Sequence, residues 1–223
     1  RKGIREGLVY HHLCKSNQPV KDVVDFSIKN VMKNFNLNQD HAYHIYKLTK
    51  SLYDQLKSLY QLDPNQFNGD IDKIILVAAM MHDIGNHINY YDHHEHSFYM
   101  ILNSEIVGLS HRELLISAYI SASHRHTKYS LHKYNLNRAN FKDIISKNGV
   151  DKEMIRKTGI LLEIAESLDR SMNGIVEAVQ CSIDQQRVNI KTITRGDAEL
   201  EINDALETAS GFEKLYNKKL NIY

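Results

Sequence analysis

The sequence predicts a mainly α protein, in which an all-helical domain over residues 1–173 precedes a small α+β C-terminal unit over residues 174–223. Only 2 prolines and 10 glycines interrupt the 223 residues, which favours long helices. Apolar residues recur with helical spacing from Val20 to about Arg170. After Gly174 apolar and polar residues alternate, as is typical of strands.

The helical part is expected to hold several amphipathic helices around one buried helix. Pro19 precedes the first of these, Asn38 is an N-cap of the second, and Gly85 ends the most apolar one. Ser110 and Glu113 form a capping box, and Asp151 caps the last helix. The expected helices are Val20–Phe35, Asn38–Leu59, Ile71–Ile84, Tyr91–Leu102, Leu114–His124 and Asp151–Leu168.

The C-terminal unit is expected to combine strands with one helix. Three alternating segments predict strands, and Asp184 begins a turn between the first two. The region Asn203–Asn217 has the pattern of a helix. The predicted strands are Gln180–Ile183, Val188–Ile193, Ala198–Ile202 and a last one at Leu220–Tyr223.

Composition excludes several classes of protein. Lys and Arg number 28 against 27 Asp and Glu, a net charge of +1, so no nucleic-acid partner is expected. The longest apolar run, Ile74–Met81, has eight residues, whereas a membrane helix needs about 20, so no membrane association is expected. Cys14 and Cys181 form no pairing pattern, which argues against a disulfide framework and predicts a cytoplasmic location.

Histidines are concentrated in one part of the chain. The sequence has 13, and nine of them lie between His82 and His132, which indicates a metal site or a pH-responsive surface. The adjacent His82 and Asp83 offer one nitrogen and one oxygen ligand to a divalent metal at the end of the buried helix. Alternatively, His82 interacts with the helix dipole and Asp83 is a local cap.

Further candidates lie on other helices. His41 is on an apolar stripe, where it is either a core histidine or a ligand, and Glu166 and Asp169 share a stripe with Leu162. An acid on a core-facing stripe is costly unless it is paired or bound to a metal. Each residue has an ordinary explanation alone, but the ordered set predicts a metal site. The set is His41, His82, Asp83, His94, His124 and either Glu166 or Asp169.

This order of residues resembles the HD superfamily of metal-dependent phosphohydrolases. Nearly the whole chain is similar to the C-terminal, HD-like region of Ppx/GppA exopolyphosphatases. The stretches that carry the resemblance are Gly3–Tyr10, Met81–Tyr90, His94–Ile101 and Ile160–Ser171. They read GIREGLVY, MHDIGNHINY, HEHSFYMI and ILLEIAESLDRS.

The resemblance implies roles for individual residues. His41, His82 and Asp83 match the first metal ligands, His94 matches a third histidine in an H-x-x-S pattern, and His124 matches the next. Asp83, His94 and His124 are the expected catalytic residues, with Asp83 bridging metals and orienting water. HD proteins usually close the site with Ala-Asp, whereas this chain has Glu166, so Asp169 one turn later stays as the alternative. The expected cofactor is a divalent ion: Mn, Fe, Mg, Ni or Zn.

A basic stretch after His124 is the candidate phosphate-binding segment. Arg125, His126 and Lys128 offer charge to a polyanion, although a solvated turn would look the same. The expected partners are a phosphate-containing small molecule or polyphosphate, and a second copy of the chain in a homodimer.

Three functions remain open on the sequence alone. The first is an HD-type phosphohydrolase that acts on a phosphate ester or anhydride. The second is a non-catalytic module for polyphosphate binding and dimerisation, because the family's actin-like catalytic domains and their Gly-rich loops are absent from this chain. The third is a helical domain whose histidines are surface residues.

Overall fold

A computed structural model describes residues 4–13, 22–61, 67–125 and 149–223. These residues form a mainly helical body with a three-stranded sheet near the C-terminus, which confirms the predicted fold class. The helices of the body are α1 (Ile4–Leu13), α2 (Val23–Asn34), α3 (Gln39–Leu56), α4 (Ile71–Met80), α5 (His93–Asn103), α6 (His111–Ala122) and α7 (Val150–Ser167). The remaining elements are β1 (Val176–Ile183), β2 (Arg187–Thr194), α8 (Glu199–Leu206), α9 (Ala209–Tyr216) and β3 (Lys219–Ile222).

Helix α4 lies at the centre of the body. It packs against α3 and α6, and α7 packs against the same two helices. Ile74, Ile75 and Val77 of α4 are fully buried, as the continuous apolar sequence predicts. Each such side chain stabilises the fold by about 1.5–3 kcal/mol relative to an exposed one. The core therefore anchors the end of α4, where His82 and Asp83 follow.

Local side-chain caps fix where several helices begin. Asn38 accepts a hydrogen bond from the His41 backbone at the start of α3. Ser110 and Glu113 form the predicted capping box of α6. Asp22 caps α2, which places its first residue at Val23; the predicted start at Val20 lies outside the described residues.

The end of α4 differs from the prediction. The helix stops at Met80, and residues 84–87 form a 3₁₀ turn instead of its last part. The reason is the close approach of α5: a Cβ at Gly85 would collide with the carbonyl oxygen of His93. The Ser97 hydroxyl also donates to the His82 carbonyl and accepts from the Gly85 N–H. Helix α5 thus replaces the hydrogen bonds that a longer α4 would make.

Two later helices begin at unexpected residues. Helix α5 starts at His93, two residues later than predicted, because Asp92 takes a left-handed conformation with φ of 57°. Helix α7 is preceded by Gly149, with φ of 85°, and Asp151 is not its cap. Asp151 is instead fully buried and forms an ion pair with Arg112 of α6.

The C-terminal unit contains one wrong prediction and several shifted bounds. The sheet has the order β1-β2-β3, with β1 and β2 antiparallel and β2 and β3 parallel. The strand predicted at Ala198–Ile202 is wrong, because this segment begins α8. Its buried residues Glu201 and Ala205 are four apart, the spacing of one helix face. The single helix predicted at Asn203–Asn217 is divided between α8 and α9.

Side chains of α3 hold the sheet against the body. The Gln55 amide donates to the Val179 carbonyl at 3.0 Å and accepts from the Cys181 N–H at 2.7 Å. Gln55 therefore satisfies part of the open edge of β1 much as a neighbouring strand would. His44 Nε2 also lies 2.9 Å from the Val176 carbonyl oxygen. A domain boundary between residues 173 and 174 stays a prediction.

Two expectations from composition can be compared with the described residues. Cys181 is a free thiol, and Cys14 lies outside the described ranges. None of the described helices is both long enough and apolar enough to cross a membrane.

Candidate metal centre

Four histidines and two acids from different elements converge beside the end of α4. Their ligand atoms form two groups, and the atoms of each group lie within 4.8 Å of one another. We call the two groups together the metal centre, as a candidate metal site, and Asp83 belongs to both. Group 1 consists of His41, His82, Asp83 and Glu166, and group 2 consists of Asp83, His93 and His124.

Group 1 brings buried lone pairs together. Glu166 Oε2 lies 3.0 Å from His82 Nε2 and 3.3 Å from His41 Nε2. These three atoms are buried and have no partner in hydrogen-bonding geometry. Because unsatisfied buried polar atoms are costly, their convergence suits a cation that all three could bind.

Group 2 lies on the other side of the Asp83 carboxylate. Asp83 Oδ1 is 3.3 Å from His93 Nε2 and 3.9 Å from His124 Nε2. The other oxygen, Oδ2, is 3.8 Å from His82 Nε2 of group 1. Asp83 therefore offers one oxygen to each group, as a ligand that bridges two ions would.

The remaining ring nitrogens set the orientation of three of the histidines. In His82, His93 and His124, Nδ1 lies 2.7, 2.9 and 2.5 Å from the carbonyl oxygen of the residue three positions earlier. A carbonyl oxygen can only accept, so each Nδ1 carries a proton and donates it. When such a ring is neutral, it aims an Nε2 lone pair into the centre, which is how metal-binding histidines are held.

In group 2, two of these Nε2 atoms lie very close to each other. His93 Nε2 and His124 Nε2 lie 2.9 Å apart. Since both rings hold their proton on Nδ1, two lone pairs would face each other across this distance. A proton or a metal ion between the two rings removes that repulsion.

His41 is oriented by a carboxylate instead of a carbonyl. Its Nδ1 lies 2.8 Å from Asp169 Oδ2, and Asp169 Oδ1 accepts from the Gly174 N–H at 2.8 Å. Asp169 is almost completely buried, yet its oxygens point to these partners and not into group 1. The structure therefore places Glu166 within the group and Asp169 behind His41.

The charges of the centre are strongly coupled. Burial opposes ionisation of Glu166, but the positive charge of the neighbouring His82 and the close approach of His41 hold its pKa well below the ordinary value. Burial likewise lowers the pKa of His41, yet Asp169 and Glu166 raise it to about 10. In His124, burial and the charge of His82 lower the pKa to about 3. Without a metal, protons balance the two acids of group 1, and metal binding would release them.

Comparison with known proteins identifies the family. Residues 23–209 match the family described as Ppx/GppA phosphatase, domain III. The chain belongs to the Ppx/GppA phosphatase family. Every residue of the metal centre lies within the matched segment of this Ppx/GppA chain.

One relative of this Ppx/GppA chain is a guanosine-5'-triphosphate,3'-diphosphate pyrophosphatase from Pseudoalteromonas atlantica. The two sequences are 27% identical over 138 residues, which is 56% of this chain. The match spans only 26% of the relative's length. The activity in the relative's name therefore belongs to a much longer protein.

The histidine that α5 contributes to group 2 differs from the predicted ligand His94, whose role stays a prediction. The structure brings His93 into group 2, whereas His94 lies half-buried in a separate group with Asp92 and Glu95. The face of α5 that packs on the turn explains why His93 and not His94 reaches group 2. Ser97 contacts the turn at His82, and the residue four positions before it shares that face of α5. The H-x-x-S spacing instead predicts His94 as the ligand.

Only part of the predicted phosphate-binding segment is described. Arg125 ends the 3₁₀ turn that follows α6, and its guanidinium carbon lies 5.4 Å from the centroid of the Tyr90 ring. His126 and Lys128 lie outside the described residues. Tyr90 was not among the predicted residues, because a tyrosine in a loop carries no specific sequence signal.

A cavity of about 540 Å³ lies behind His41, on the side of Asp169. Its lining includes Lys47, Arg195 and Glu177, so charges of both signs face it. It adjoins the residues that orient His41.

Proposed function

We propose that this Ppx/GppA domain III is an HD-type domain that binds one or two divalent metal ions and hydrolyses a phosphate ester or anhydride. The observation that carries the proposal is the convergence of buried His41 Nε2, His82 Nε2 and Glu166 Oε2 without hydrogen-bond partners. A buried cluster of this kind is destabilising unless protons or a metal ion balance its charges. The family membership supports a phosphate-containing substrate.

The donor set fits a divalent transition metal. Group 1 offers two imidazole nitrogens and two carboxylates, and group 2 offers two imidazole nitrogens and the shared Asp83. Imidazole suits Zn, Fe and Ni, and carboxylate suits Mn, whereas Mg prefers sites made wholly of oxygen. We therefore favour Mn, Fe, Ni or Zn over Mg.

Different residues of the chain would have different roles in hydrolysis. A divalent ion, when bound, polarises a phosphoryl oxygen and lowers the pKa of water. Asp83 lies partly exposed between the two groups, so its carboxylate can accept a hydrogen bond from the attacking water and orient it. His93 and His124 keep Nε2 aimed at the same point. Arg125 would bind the phosphate oxygens.

Elemental analysis combined with a hydrolysis assay tests this function. We expect purified protein to hold a divalent metal and to hydrolyse tripolyphosphate or a nucleotide in a chelator-sensitive way. His82→Ala and Asp83→Ala should lose both properties, because each removes a central ligand. His111→Ala is the control, since this histidine is exposed at the start of α6. Protein without metal and without metal-dependent hydrolysis would contradict the proposal.

A second candidate is a non-catalytic module that binds polyphosphate and joins two copies of the chain. It is favoured by the match to a third domain, and by the small share of the relative's length that the match covers. This candidate predicts a dimer by light scattering and polyphosphate binding that survives EDTA, with no turnover. Chelator-sensitive hydrolysis by this chain would exclude it.

A further inference from the structure

Tyr90 lies between the metal centre and Arg125, a basic residue at the edge of that centre. Its carbonyl oxygen accepts the hydrogen bond from His93 Nδ1 at 2.9 Å. Its ring centroid lies 5.8 Å from that of His93, and the Arg125 guanidinium carbon lies 5.4 Å from the same ring. The ring is thus in contact with a group 2 histidine and with a cation, although 60% of the side chain is exposed.

Arg125 is held at the rim by two features. It follows His124 directly, so the turn that places His124 in group 2 also places the Arg125 backbone. The Tyr90 ring then fixes the guanidinium through a cation–π contact. The Arg125 guanidinium forms no ion pair or hydrogen bond with any of the described residues, and its recorded contact is the Tyr90 ring. Stacking on a ring leaves the in-plane N–H groups free to bind an anion.

We propose that Tyr90 is a positioning residue that holds the Arg125 guanidinium beside group 2, where it binds oxygens of the substrate phosphate. The proposal rests on the proposed metal centre and adds the part of the site that recognises phosphate. Planar N–H groups suit a phosphate because two of them can bind two oxygens at once. The ring makes this geometry available before the substrate arrives, which reduces the cost of binding.

The exposure of Tyr90 makes the proposal testable without unfolding the protein. A side chain that is mostly exposed contributes little to the core. Any residue at position 90 keeps the carbonyl that orients His93, so metal binding should survive substitution. Metal content and phosphate affinity can therefore be separated.

Calorimetric titration of inorganic phosphate into Mn²⁺-saturated protein is the experiment. We expect Tyr90→Ala to weaken phosphate binding by about two- to fivefold, as expected for the loss of an exposed cation–π contact. Tyr90→Phe retains the ring and should bind as the wild type does. Tyr99→Ala is the control, since Tyr99 is 62% exposed elsewhere on α5.

A double-mutant cycle separates positioning from a general structural effect. Arg125→Gln should weaken phosphate binding by about tenfold or more, because it removes a charged donor. In the Arg125→Gln background, Tyr90→Ala should have no further effect. Additive effects, or a Tyr90→Ala protein that binds phosphate as the wild type does, would overturn the proposal.

The Mn²⁺ content of the same samples tests the metal centre separately from the role of Tyr90. If the wild type binds Mn²⁺ but Tyr90 has no effect on phosphate binding, only the role of Tyr90 fails. If the wild type binds neither Mn²⁺ nor phosphate, the metal centre and the role of Tyr90 both fail.

Discussion

Asp169 lies outside the proposed ligand set but orients one of its members, His41. It accepts from His41 Nδ1 with one oxygen and from the Gly174 N–H with the other. A carboxylate in this position fixes the ring and raises the basicity of the opposite nitrogen. Asp169 thus orients His41 and ties it to the start of the C-terminal unit.

Asp169→Asn should lower metal affinity by about 10–100-fold, the usual effect of losing such a partner. The amide oxygen can still accept from Gly174, but the amide nitrogen cannot accept from His41. Chelator competition measures the affinity, and Asp40→Asn, at an exposed position on α3, is the control. Unchanged affinity would contradict the role assigned to Asp169.

Neighbouring histidines offer a second test at the residue scale. His93→Ala should reduce the metal bound per chain, because His93 Nε2 belongs to group 2. His94→Ala should leave the content unchanged, since His94 lies in a separate group. Elemental mass spectrometry measures both variants. The reverse outcome would restore the residue that the H-x-x-S pattern predicts.

At the scale of elements, the crossing of α5 over the turn after α4 depends on Gly85. A Cβ there would collide with the His93 carbonyl oxygen and lie 2.5 Å from the Ser97 nitrogen. These are backbone atoms, so the conflict can be relieved only if α5 moves. Any such movement also displaces His93.

Gly85→Ala should therefore lower the free energy of unfolding by about 1–3 kcal/mol, the usual cost of overpacking. Urea denaturation measures this change. Gly7→Ala is the control, because Gly7 lies in α1 with nothing within 4 Å of the added Cβ. A helical alanine there should be neutral or stabilising. Equal stability of Gly85→Ala and the wild type would contradict the close approach.

Local signals in the sequence were sufficient for some elements and not for others. The caps Asn38 and Ser110 were predictable because a cap acts within four residues. The end of α4 was not, because Ser97 on another helix sets it. The start of helix α8 was mistaken for a strand, since a five-residue segment does not distinguish the two periods.

For the candidate site too, the sequence predicts some features and not others. The residue types and their order were sufficient to propose His41, His82, Asp83, His124 and Glu166 as a group. Choosing between Glu166 and Asp169, or between His93 and His94, requires the directions of side chains. Those directions depend on how the helices pack, and the sequence does not state them.

At the scale of the whole molecule, buried tyrosines join the C-terminal unit to the body. The Tyr216 hydroxyl of α9 donates to the Lys157 carbonyl at 3.0 Å and lies 3.2 Å from the Tyr60 hydroxyl. The Lys157 ammonium lies 5.4 and 5.2 Å from the centroids of the Tyr60 and Tyr216 rings. Burial raises the pKa of Tyr216 well above its ordinary value, so the phenol stays neutral when folded.

Tyr216→Phe should lower the free energy of unfolding by about 1 kcal/mol at neutral pH, because a buried hydrogen bond is lost. The unfolded tyrosine ionises near pH 10. Since the folded pKa is higher, the contribution of Tyr216 is complete below pH 10 and is lost as pH rises further. The variant should thus lose stability less steeply above pH 10. Urea titrations across pH test this, with the exposed Tyr223→Phe as the control; parallel curves would contradict it.

The central claim is that distant histidines and acids meet to bind a metal ion. X-ray absorption at the metal edge of the loaded protein tests it most directly. We expect a shell of nitrogen and oxygen ligands with the outer scattering of several imidazole rings, reduced in His82→Ala. A shell of oxygen alone, without imidazole scattering, would contradict the claim.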